Sequence, residues 1–476
     1  MAPIDDSLAA RVTPDCPEDV RTILYHAWGH DLSTLKTLLN ERDRASVQDP
    51  TTGETPLHAA IRACGPAPAA AGAQAAQDDD QDQIGHGDGD GKEEAAREIL
   101  QELFFSGAIW NDVDANNETP GCVAARLGRT SLYEMCVDAG VRAELLFAVM
   151  DGYEELMSGV DDETEGADDA AMEEDGDEAP ELVSLEQQQQ QQQQGEITDE
   201  DKGKDEEATD GKEEQEAQAP AFVPPNADEK PVTSEAYLTS ALTYDDAKLL
   251  DADLNGVMMA WETDIMRRSV AALLPPRGDA SGGGASSDGP RVLNIGFGMG
   301  IVDGLFAERA PSVHHIIEAH PAVLEHARQP GSRFGAEWER SGPADGAYRI
   351  LPGRWQDVVP GLLAQGQLYD AIYFDTFGED YAQLKLFFTE HIPGLLDQEG
   401  RFSFFNGLGA DRRICYDVYT RVVEMHCADA GLDVEWEVSD VDMAALDSDG
   451  KGEWEGVRRR YWTLDKYRLP ICTFMG

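Results

Sequence analysis

Positive charge is scarce in this sequence of 476 residues. It contains 93 Asp and Glu residues against 37 Lys and Arg residues, which gives a formal net charge of -56. Such a chain is poorly suited to bind nucleic acid through the phosphate backbone, because that binding depends on many Lys and Arg contacts. We therefore expect no direct nucleic-acid partner, and the excess of carboxylates favours basic partners.

Long apolar runs and paired cysteines are also missing. No stretch approaches the roughly 20 apolar residues of a membrane span, and the first ten residues lack a signal-peptide pattern, so neither a membrane partner nor secretion is expected. The seven cysteines are scattered without a CxxC pair, which indicates reduced, buried thiols. His314 and His315 are adjacent in a strand-like run and point to opposite faces, so no metal site is expected.

Composition divides the chain into three parts. Residues 151–220 hold 27 Asp and Glu against three Lys, and a glutamine run lies within them. Such a segment cannot bury enough apolar surface to offset its ordering entropy, so we predict a disordered acidic and polyglutamine linker at 151–231. The composition leaves open whether this linker attracts a basic protein or is a solvated spacer. Residues 1–150 and 232–476 are the predicted folded domains.

Residues 1–150 contain two related turns. The segment TGETPLHAAI (52–61) is close to the ankyrin signature T-P-L-H-x-A, and NNETPGCVAA (116–125) repeats the Thr-Pro pair. The two threonines are 64 residues apart, about twice the ankyrin period of ~33, with a low-complexity insertion at 65–92 between them. We predict a small all-α ankyrin-like repeat domain; the alternative is a plain helical domain with a chance match. So short an array is expected to pack against another part of the chain.

Residues 232–476 alternate apolar runs with helical segments. Seven strand-like runs, with helices between the first five, predict an α/β domain with a mostly parallel, doubly wound sheet and an antiparallel end. Ligands of such sheets bind at the carboxyl ends of the strands. The runs are RVLNIGFG (291–298), VHHIIEAH (313–320), AYRILPG (347–353), YDAIYFDTF (369–377), RFSFFNG (401–407), DVEWEVSDV (433–441) and RRYWTLDKYRLPICTF (459–474).

The first of these runs leads into the glycine turn GFGMG (296–300). Its G-x-G-x-G spacing differs from the G-x-G-x-x-G of dinucleotide-binding folds, in which Ile301 would be the third glycine. No Lys or Arg lies in the turn to meet a pyrophosphate, which favours a nucleoside ligand without phosphates. Glu318 ends the next strand, where its carboxylate can accept both ribose hydroxyls. NAD and S-adenosylmethionine share this last feature, so both remain open.

Three further residues, Trp355, Asp375 and Glu262, are candidates for a site. Trp355, after the third strand, offers a flat wall for adenine, and Asp375 ends the fourth strand beside the first. Residues 255–268 are predicted to form a helix in which Trp261 and Glu262 close over the site. Each candidate also has a purely structural interpretation: a core tryptophan, a helix-capping aspartate and a solvated helix glutamate.

Five motifs from about residue 235 onwards resemble guanidinoacetate methyltransferase: VMMAWETDIM, GFGMGIVD, IIEAHP, GRWQDV and YFDTF. Together with the ankyrin-like start, the chain resembles the fungal protein arginine N-methyltransferase 2 family. The resemblance spans roughly half the chain, and the order and spacing of the motifs make it specific. It implies a seven-stranded, Rossmann-like class I methyltransferase domain that binds S-adenosylmethionine and methylates the internal δ nitrogen of arginine.

The resemblance also assigns roles to residues by position. It implies that Asp375 and Glu262 are catalytic and hold the guanidinium, with Asp375 lying between cofactor and substrate. The implied cofactor-binding residues are Tyr237, Met258, Met266, Phe297, Gly298, Met299, Gly300, Ile301, Val302, Glu318, Ala319, His320, Trp355, Gln356 and Asp375. Asn294 departs from the wider methyltransferase pattern, in which an acidic residue often precedes the first glycine.

A substrate and a location follow from the same resemblance. It implies a basic protein substrate, expected to be a large-subunit ribosomal protein, that docks partly on the ankyrin-like domain, and a monomer in the cytoplasm and nucleus. Two alternatives stay open: a methyltransferase for small guanidino compounds, and an interaction scaffold without catalytic activity. A nicotinamide-dependent oxidoreductase is disfavoured by the glycine spacing.

Overall fold

The computed structural model describes residues 4–41, 43–67, 89–158, 232–245, 248–275, 289–329, 331–446, 452–458 and 460–476. The described residues within 1–151 and 219–476 form one compact unit. Most of the predicted insertion (65–92) and of the predicted linker (151–231) lies outside the described residues. At their borders the chain is helical, since one helix begins at Gly89 and another extends to Ser158. None of the described helices has both the length and the apolar character needed to cross a bilayer.

The N-terminal part of the described chain is helical. Two of its helices begin at the Thr-Pro turns, where Thr55 and Thr119 each accept a hydrogen bond from the backbone N–H three residues later and proline fills the first helical position. Its helices are α1 (Leu8–Arg11), α2 (Glu18–Trp28), α3 (Leu32–Leu38), α4 (Pro56–Arg62), α5 (Gly89–Phe105), α6 (Pro120–Arg126) and α7 (Thr130–Ser158), with a 3₁₀ turn at Arg44–Ser46.

His58 ties the two Thr-Pro turns together. Its Nδ1 lies 2.7 Å from the hydroxyl of Thr55, and its Nε2 lies 2.8 Å from the carbonyl oxygen of Glu118 beside the second turn. Burial, together with the charge of Arg62, lowers the pKa of His58 to about 4, so the ring is neutral and can accept one bond while donating the other. The assignment to the ankyrin family remains a prediction.

The helical part shares a hydrophobic core with the rest of the molecule. Residues of α4 to α7 pack in one cluster with the fully buried Ile414, Val418 and Val422, which belong to a helix of the C-terminal part. Gly140 of α7 lies against Val418, and a Cβ atom at Gly140 would be 2.7 Å from a methyl group of that valine. The contact agrees with the expectation that a short array packs against another part of the chain.

A seven-stranded sheet forms the centre of the C-terminal part, as the sequence predicts. Its strands are β4 (Arg291–Ile295), β5 (Val313–Glu318), β6 (Tyr348–Pro352), β7 (Tyr369–Phe374), β8 (Leu396–Phe404), β9 (Leu432–Asp440) and β10 (Lys466–Phe474). They lie in the order β6-β5-β4-β7-β8-β10-β9. The first five in this order run parallel, and β10 pairs antiparallel with both β8 and β9. The direction of winding reverses between β4 and β7, which is where such sheets bind ligands.

Helices connect the first five strands of this sheet, which confirms the doubly wound arrangement. Between them lie α10 (Ile301–Ala307), α11 (Pro321–Ala327), α12 (Ala336–Arg340), α13 (Trp355–Ala364), α14 (Tyr381–Leu386) and α15 (Ile392–Leu395), with a π-helical turn at Phe387–His391. The long helix α16 (Arg413–Asp429) precedes β9 and carries the residues that pack against the helical part, and α17 (Met443–Leu446) follows β9.

Two predicted elements are wrong in part. The segment 255–268 is not one helix: Gly256–Met259 is a strand (β3), Ala260–Glu262 is a 3₁₀ turn, and only Thr263–Leu273 (α9) is helical. β3 completes a small antiparallel sheet with β1 (Thr243–Tyr244) and β2 (Lys248–Leu250), and α8 (Ser234–Thr239) precedes it. The last predicted strand begins at Lys466 and not at 459.

Candidate active site

The glycine turn lies at the reversal point of the sheet, between the end of β4 and the start of α10. Gly296, Gly298 and Gly300 all have positive φ, at 95°, 54° and 69°, which disfavours residues with a side chain. A Cβ atom at Gly296 would also overlap the backbone carbonyl oxygen of Asp375, at the end of the neighbouring strand. The turn therefore requires glycine both for its conformation and for its close approach to β7.

We expect Gly296→Ala to abolish ligand binding at this turn. The change places a side chain where φ is positive and where a backbone atom, which cannot rotate away, already lies. Isothermal titration with a nucleoside ligand and thermal unfolding of the same sample would measure the two effects. Gly361→Ala, in α13 with open space around the missing Cβ, is the matched control; equal affinity in both variants would contradict the role of Gly296.

Glu318 connects the turn to β5. One carboxylate oxygen accepts a hydrogen bond from the backbone N–H of Phe297 at 2.8 Å, and the other accepts one from the N–H of His320 at 2.6 Å. Burial raises the pKa of Glu318, while these backbone donors oppose that effect. The backbone N–H groups of Gly298 and Ala319 also act on this carboxylate, so Glu318 is fixed in place where β5 meets the turn.

A cavity opens beside the turn. We call it the glycine-turn cavity. It is lined by residues of α8 and β3 and by residues at the carboxyl ends of β4, β5 and β7. Seven of the predicted cofactor-binding residues are among those lining it: Tyr237, Met258, Gly298, Glu318, Ala319, Trp355 and Asp375.

The other eight predicted cofactor-binding residues are not among the described lining residues of this cavity. Met266 is fully buried in an apolar cluster with Val302. Phe297 packs edge-on against Phe334, although its backbone N–H binds Glu318. The remaining members of this group are Met299, Gly300, Ile301, His320 and Gln356. Of these, His320 contacts the lining residue Tyr237: Nε2 of His320 lies 3.0 Å from the carbonyl oxygen of Tyr237.

A second cavity adjoins the first and shares lining residues with it. We call it the carboxylate cavity, because four acidic residues, Glu262, Asp375, Glu379 and Asp380, line it. No Lys, Arg or His is among its described lining residues. Asp375 lines both cavities, as do Thr376 and Glu379. The carboxylate cavity is therefore suited to a cation that must reach a ligand in the glycine-turn cavity.

Asp375 is held at the boundary of the two cavities by the end of β7. Its Oδ2 is buried and has no hydrogen-bond partner in the described part of the chain. Loss of hydration raises the pKa of Asp375 to about 7. An unpartnered carboxylate with a pKa near neutrality is a candidate for proton transfer or for binding a cation.

Glu262 faces Asp375 from the 3₁₀ turn. It is 3% exposed, and its Oε1 accepts a hydrogen bond from the hydroxyl of Tyr461. Burial raises the pKa of Glu262 well above its usual value, and the nearby charge of Asp375 raises it further. Two buried carboxylates without a cation repel each other, so a guanidinium placed between them would relieve that repulsion. Glu262 is thus a buried site residue and not a solvated helix residue.

Sequence reasoning missed Glu379 and Tyr461. Glu379 accepts hydrogen bonds from the indole N–H of Trp355, the amide of Gln356 and the hydroxyl of Thr376, and so fixes the loop after β7. A local signal for Glu379 exists in the sequence, because it lies only four residues after Asp375. Tyr461 had no local signal, since 199 residues separate it from its partner Glu262.

Asn294 has a structural role below the turn. Its amide donates hydrogen bonds of 2.8 Å to the carbonyl oxygen of Gly296 and to the carboxylate of Asp303. Asp303 also lies 2.9 Å from Nε2 of His314, and all three side chains are fully buried. An acidic residue at 294 would place a second carboxylate against Asp303, so the amide is the compatible choice here.

Comparison with known proteins agrees with this geometry. The family model described as guanidinoacetate N-methyltransferase matches residues 233–428. A protein arginine N-methyltransferase 2 from Gibberella zeae is 61% identical over 462 residues, which cover 97% of this chain and 94% of that protein. The chain belongs to the protein arginine N-methyltransferase 2 family.

Further relatives support this membership. Protein arginine N-methyltransferase 2 of Neurospora crassa is 55% identical over 99% of both chains, and that of Aspergillus fumigatus is 46% identical over 96% of both. As a member of this family, the chain is a methyltransferase.

Proposed function

We propose that this protein transfers a methyl group from S-adenosylmethionine to the internal δ nitrogen of an arginine in a basic protein. The names of its relatives support protein arginine as the acceptor. The choice of the δ nitrogen, of a large-subunit ribosomal protein as substrate, and of the cytoplasm and nucleus as its location follows the family resemblance of the sequence.

The glycine-turn cavity fits S-adenosylmethionine. Its glycine turn brings backbone close to the ligand, and the carboxylate of Glu318 lines the cavity as a ribose-binding residue would. Arg354 is the one cation among the described lining residues. Met258 and Trp355, which line the cavity, contribute polarisable and apolar surface. When bound, S-adenosylmethionine supplies an electrophilic methyl group on a sulfonium.

The two buried carboxylates are suited to prepare the guanidinium. A guanidinium has a pKa above ~12, so forming the free guanidine at pH 7 would cost about 7 kcal/mol, at 1.36 kcal/mol for each of five pKa units. Asp375 and Glu262 lower this barrier by binding the planar group at two points and concentrating its charge on the nitrogens that they contact. The nitrogen that accepts the methyl group must lose its proton as the bond between the methyl carbon and the sulfonium sulfur breaks and a neutral thioether leaves. Oδ2 of Asp375 would accept this proton and then release it to solvent.

One observation carries the choice of a protein substrate. The carboxylate cavity has four acidic residues and no cation among its described lining residues. A small guanidino acid such as guanidinoacetate brings a carboxylate of its own, which would lie unpaired among these acids at a cost. An arginine side chain within a protein brings only the guanidinium and an apolar stem, so it avoids this cost.

We therefore expect methyl transfer to a basic protein or peptide with at least about 100-fold higher kcat/KM than to guanidinoacetate, since one unpaired buried charge costs several kcal/mol. The assay supplies labelled S-adenosylmethionine with each acceptor separately, including a ribosomal protein fraction. Mass spectrometry of the labelled arginine then distinguishes internal from terminal methylation. Label mainly in guanidinoacetate would support the small-molecule alternative, and label in neither acceptor would support a scaffold.

A further inference from the structure

Tyr461 approaches the carboxylate cavity from the segment before β10. Its hydroxyl donates a hydrogen bond to Oε1 of Glu262, and the tyrosine lines the same cavity as Glu262 and Asp375. The other oxygen of Glu262 is not engaged by this bond. Because a carboxylate rotates about its last single bond, a fixed partner on one oxygen determines where the other oxygen points.

The ring of Tyr461 is held by aromatic neighbours. It lies 6.2 Å from Trp261 at an angle of 27°, 5.1 Å from Trp454 at 82°, and 6.4 Å from Phe405 at 77°. On a further side lies Gly256, where a Cβ atom would be 3.0 Å from the ring. The ring therefore has little room to turn, and its hydroxyl has a fixed position relative to Glu262.

The surroundings of Glu262 make this donor important. The carboxylates of Asp375 and Glu453 act on it, and Glu379 and Asp380 line the same cavity. Three tyrosines, Tyr373, Tyr461 and Tyr467, also interact with it. Burial and the charge of Asp375 raise the pKa of Glu262, whereas the hydrogen bond from Tyr461 and a backbone hydrogen bond from Met259 lower it. The tyrosine thus opposes protonation of a carboxylate that must be ionised to bind a cation.

We propose that Tyr461 is a positioning residue of the acceptor site, holding one oxygen of Glu262 so that the other faces the guanidinium of the substrate. The inference rests on the proposed function for the identity of the guanidinium, but the contact between Tyr461 and Glu262 does not depend on it. Tyr461 itself exchanges no proton with the substrate in this role. It acts on the reaction through the orientation and the charge of Glu262.

The test is Tyr461→Phe in the full-length protein, because phenylalanine keeps the ring and removes only the donor. We expect kcat/KM for a basic peptide to fall about 10- to 100-fold, the effect of a hydrogen bond to a charged group, mainly through a higher KM. The acid limb of the kcat/KM profile should also shift to higher pH, since Glu262 then protonates more readily. Tyr369→Phe is the matched control. It removes a hydroxyl that lies 2.7 Å from Nδ1 of His315, at the end of β7 away from Asp375, and should change neither kcat/KM nor the pH of its acid limb.

A second measurement separates this inference from the proposed function. Infrared difference spectra recorded across pH detect protonation of Glu262 directly, and Glu262→Gln assigns the band. We expect Tyr461→Phe to move this band to higher pH even if no acceptor tested is methylated. An unchanged infrared titration, or an unchanged KM and pH profile in an active enzyme, would overturn the proposal. A wild-type protein that methylates no peptide would overturn the proposed function alone.

Discussion

Asp375→Asn is expected to lower kcat by about 1000-fold or more while the protein remains folded, since proton acceptors in active sites contribute roughly 100- to 10,000-fold. Asparagine matches the shape of aspartate, so the end of β7 and its contact with Gly296 should persist. The amide, however, can neither accept the guanidinium proton nor balance its charge. Both losses act at the boundary of the two cavities, where Asp375 lines each of them.

The same residue predicts a pH dependence. The raised pKa of Asp375, at about 7, means that the free enzyme gains the ionised form as pH rises through neutrality. We expect kcat/KM of the wild type to rise through this range and level off above it. Stability should change in the opposite sense: because the folded pKa is above the unfolded one, ionising Asp375 lowers the stability of the wild type as pH rises towards and through about 7.

Methyl transfer and thermal unfolding, each measured from pH 5.5 to about 8.5 to bracket this pKa, check both effects. Asp375→Asn should lose activity at every pH, and at alkaline pH it should unfold at a higher temperature than the wild type. Asp433→Asn on the exposed face of β9 is the matched control and should leave both quantities unchanged. Activity within tenfold of the wild type would exclude Asp375 as the proton acceptor.

The parts of this site that were predictable from the sequence have local signals. The glycine turn, Glu318 and Asp375 each follow a short apolar run at the end of a parallel strand, and strand ends in such a sheet meet at one edge. That rule brings residues distant in sequence together without knowledge of any contact. Glu262 was placed by family resemblance, while its burial and its charge coupling to Asp375 emerged only from the fold.

The errors arose where pairing between distant segments decides the structure. The apolar residues of VMM fit a helix and a strand equally, and only antiparallel pairing of Met258 with Leu249 makes this segment a strand. Tyr461 was missed for the same reason, since its role depends on a partner far away in the chain. Local patterns could not reveal either contact.

The core shared by the helical part and α16 predicts a large loss of folding stability when it is disrupted. Val418 is fully buried there between the two parts. Val418→Asp would place an unpaired carboxylate in this core, at a cost of several kcal/mol from a total stability of typically 5–15 kcal/mol. We expect the variant to unfold or to lose most of its stability. Val438→Asp makes the same change at a valine of β9 that is 58% exposed, and should cost about 1 kcal/mol or less.

Val418→Ala provides a milder test that keeps the protein folded. Removing the two methyl groups should cost about 2 kcal/mol through lost burial and a cavity. If the shared core joins the helical part and the sheet into one cooperative unit, Val418→Ala should accelerate amide hydrogen exchange both in α4 and α6 of the helical part and in β4 and β7 of the sheet. Faster exchange on one side only would mean that the two parts unfold separately. Joint acceleration would instead mean that the helical part stabilises the sheet on which Asp375 and the glycine turn lie. Loss of the helical part would then disable the active site although none of its described residues lines either cavity.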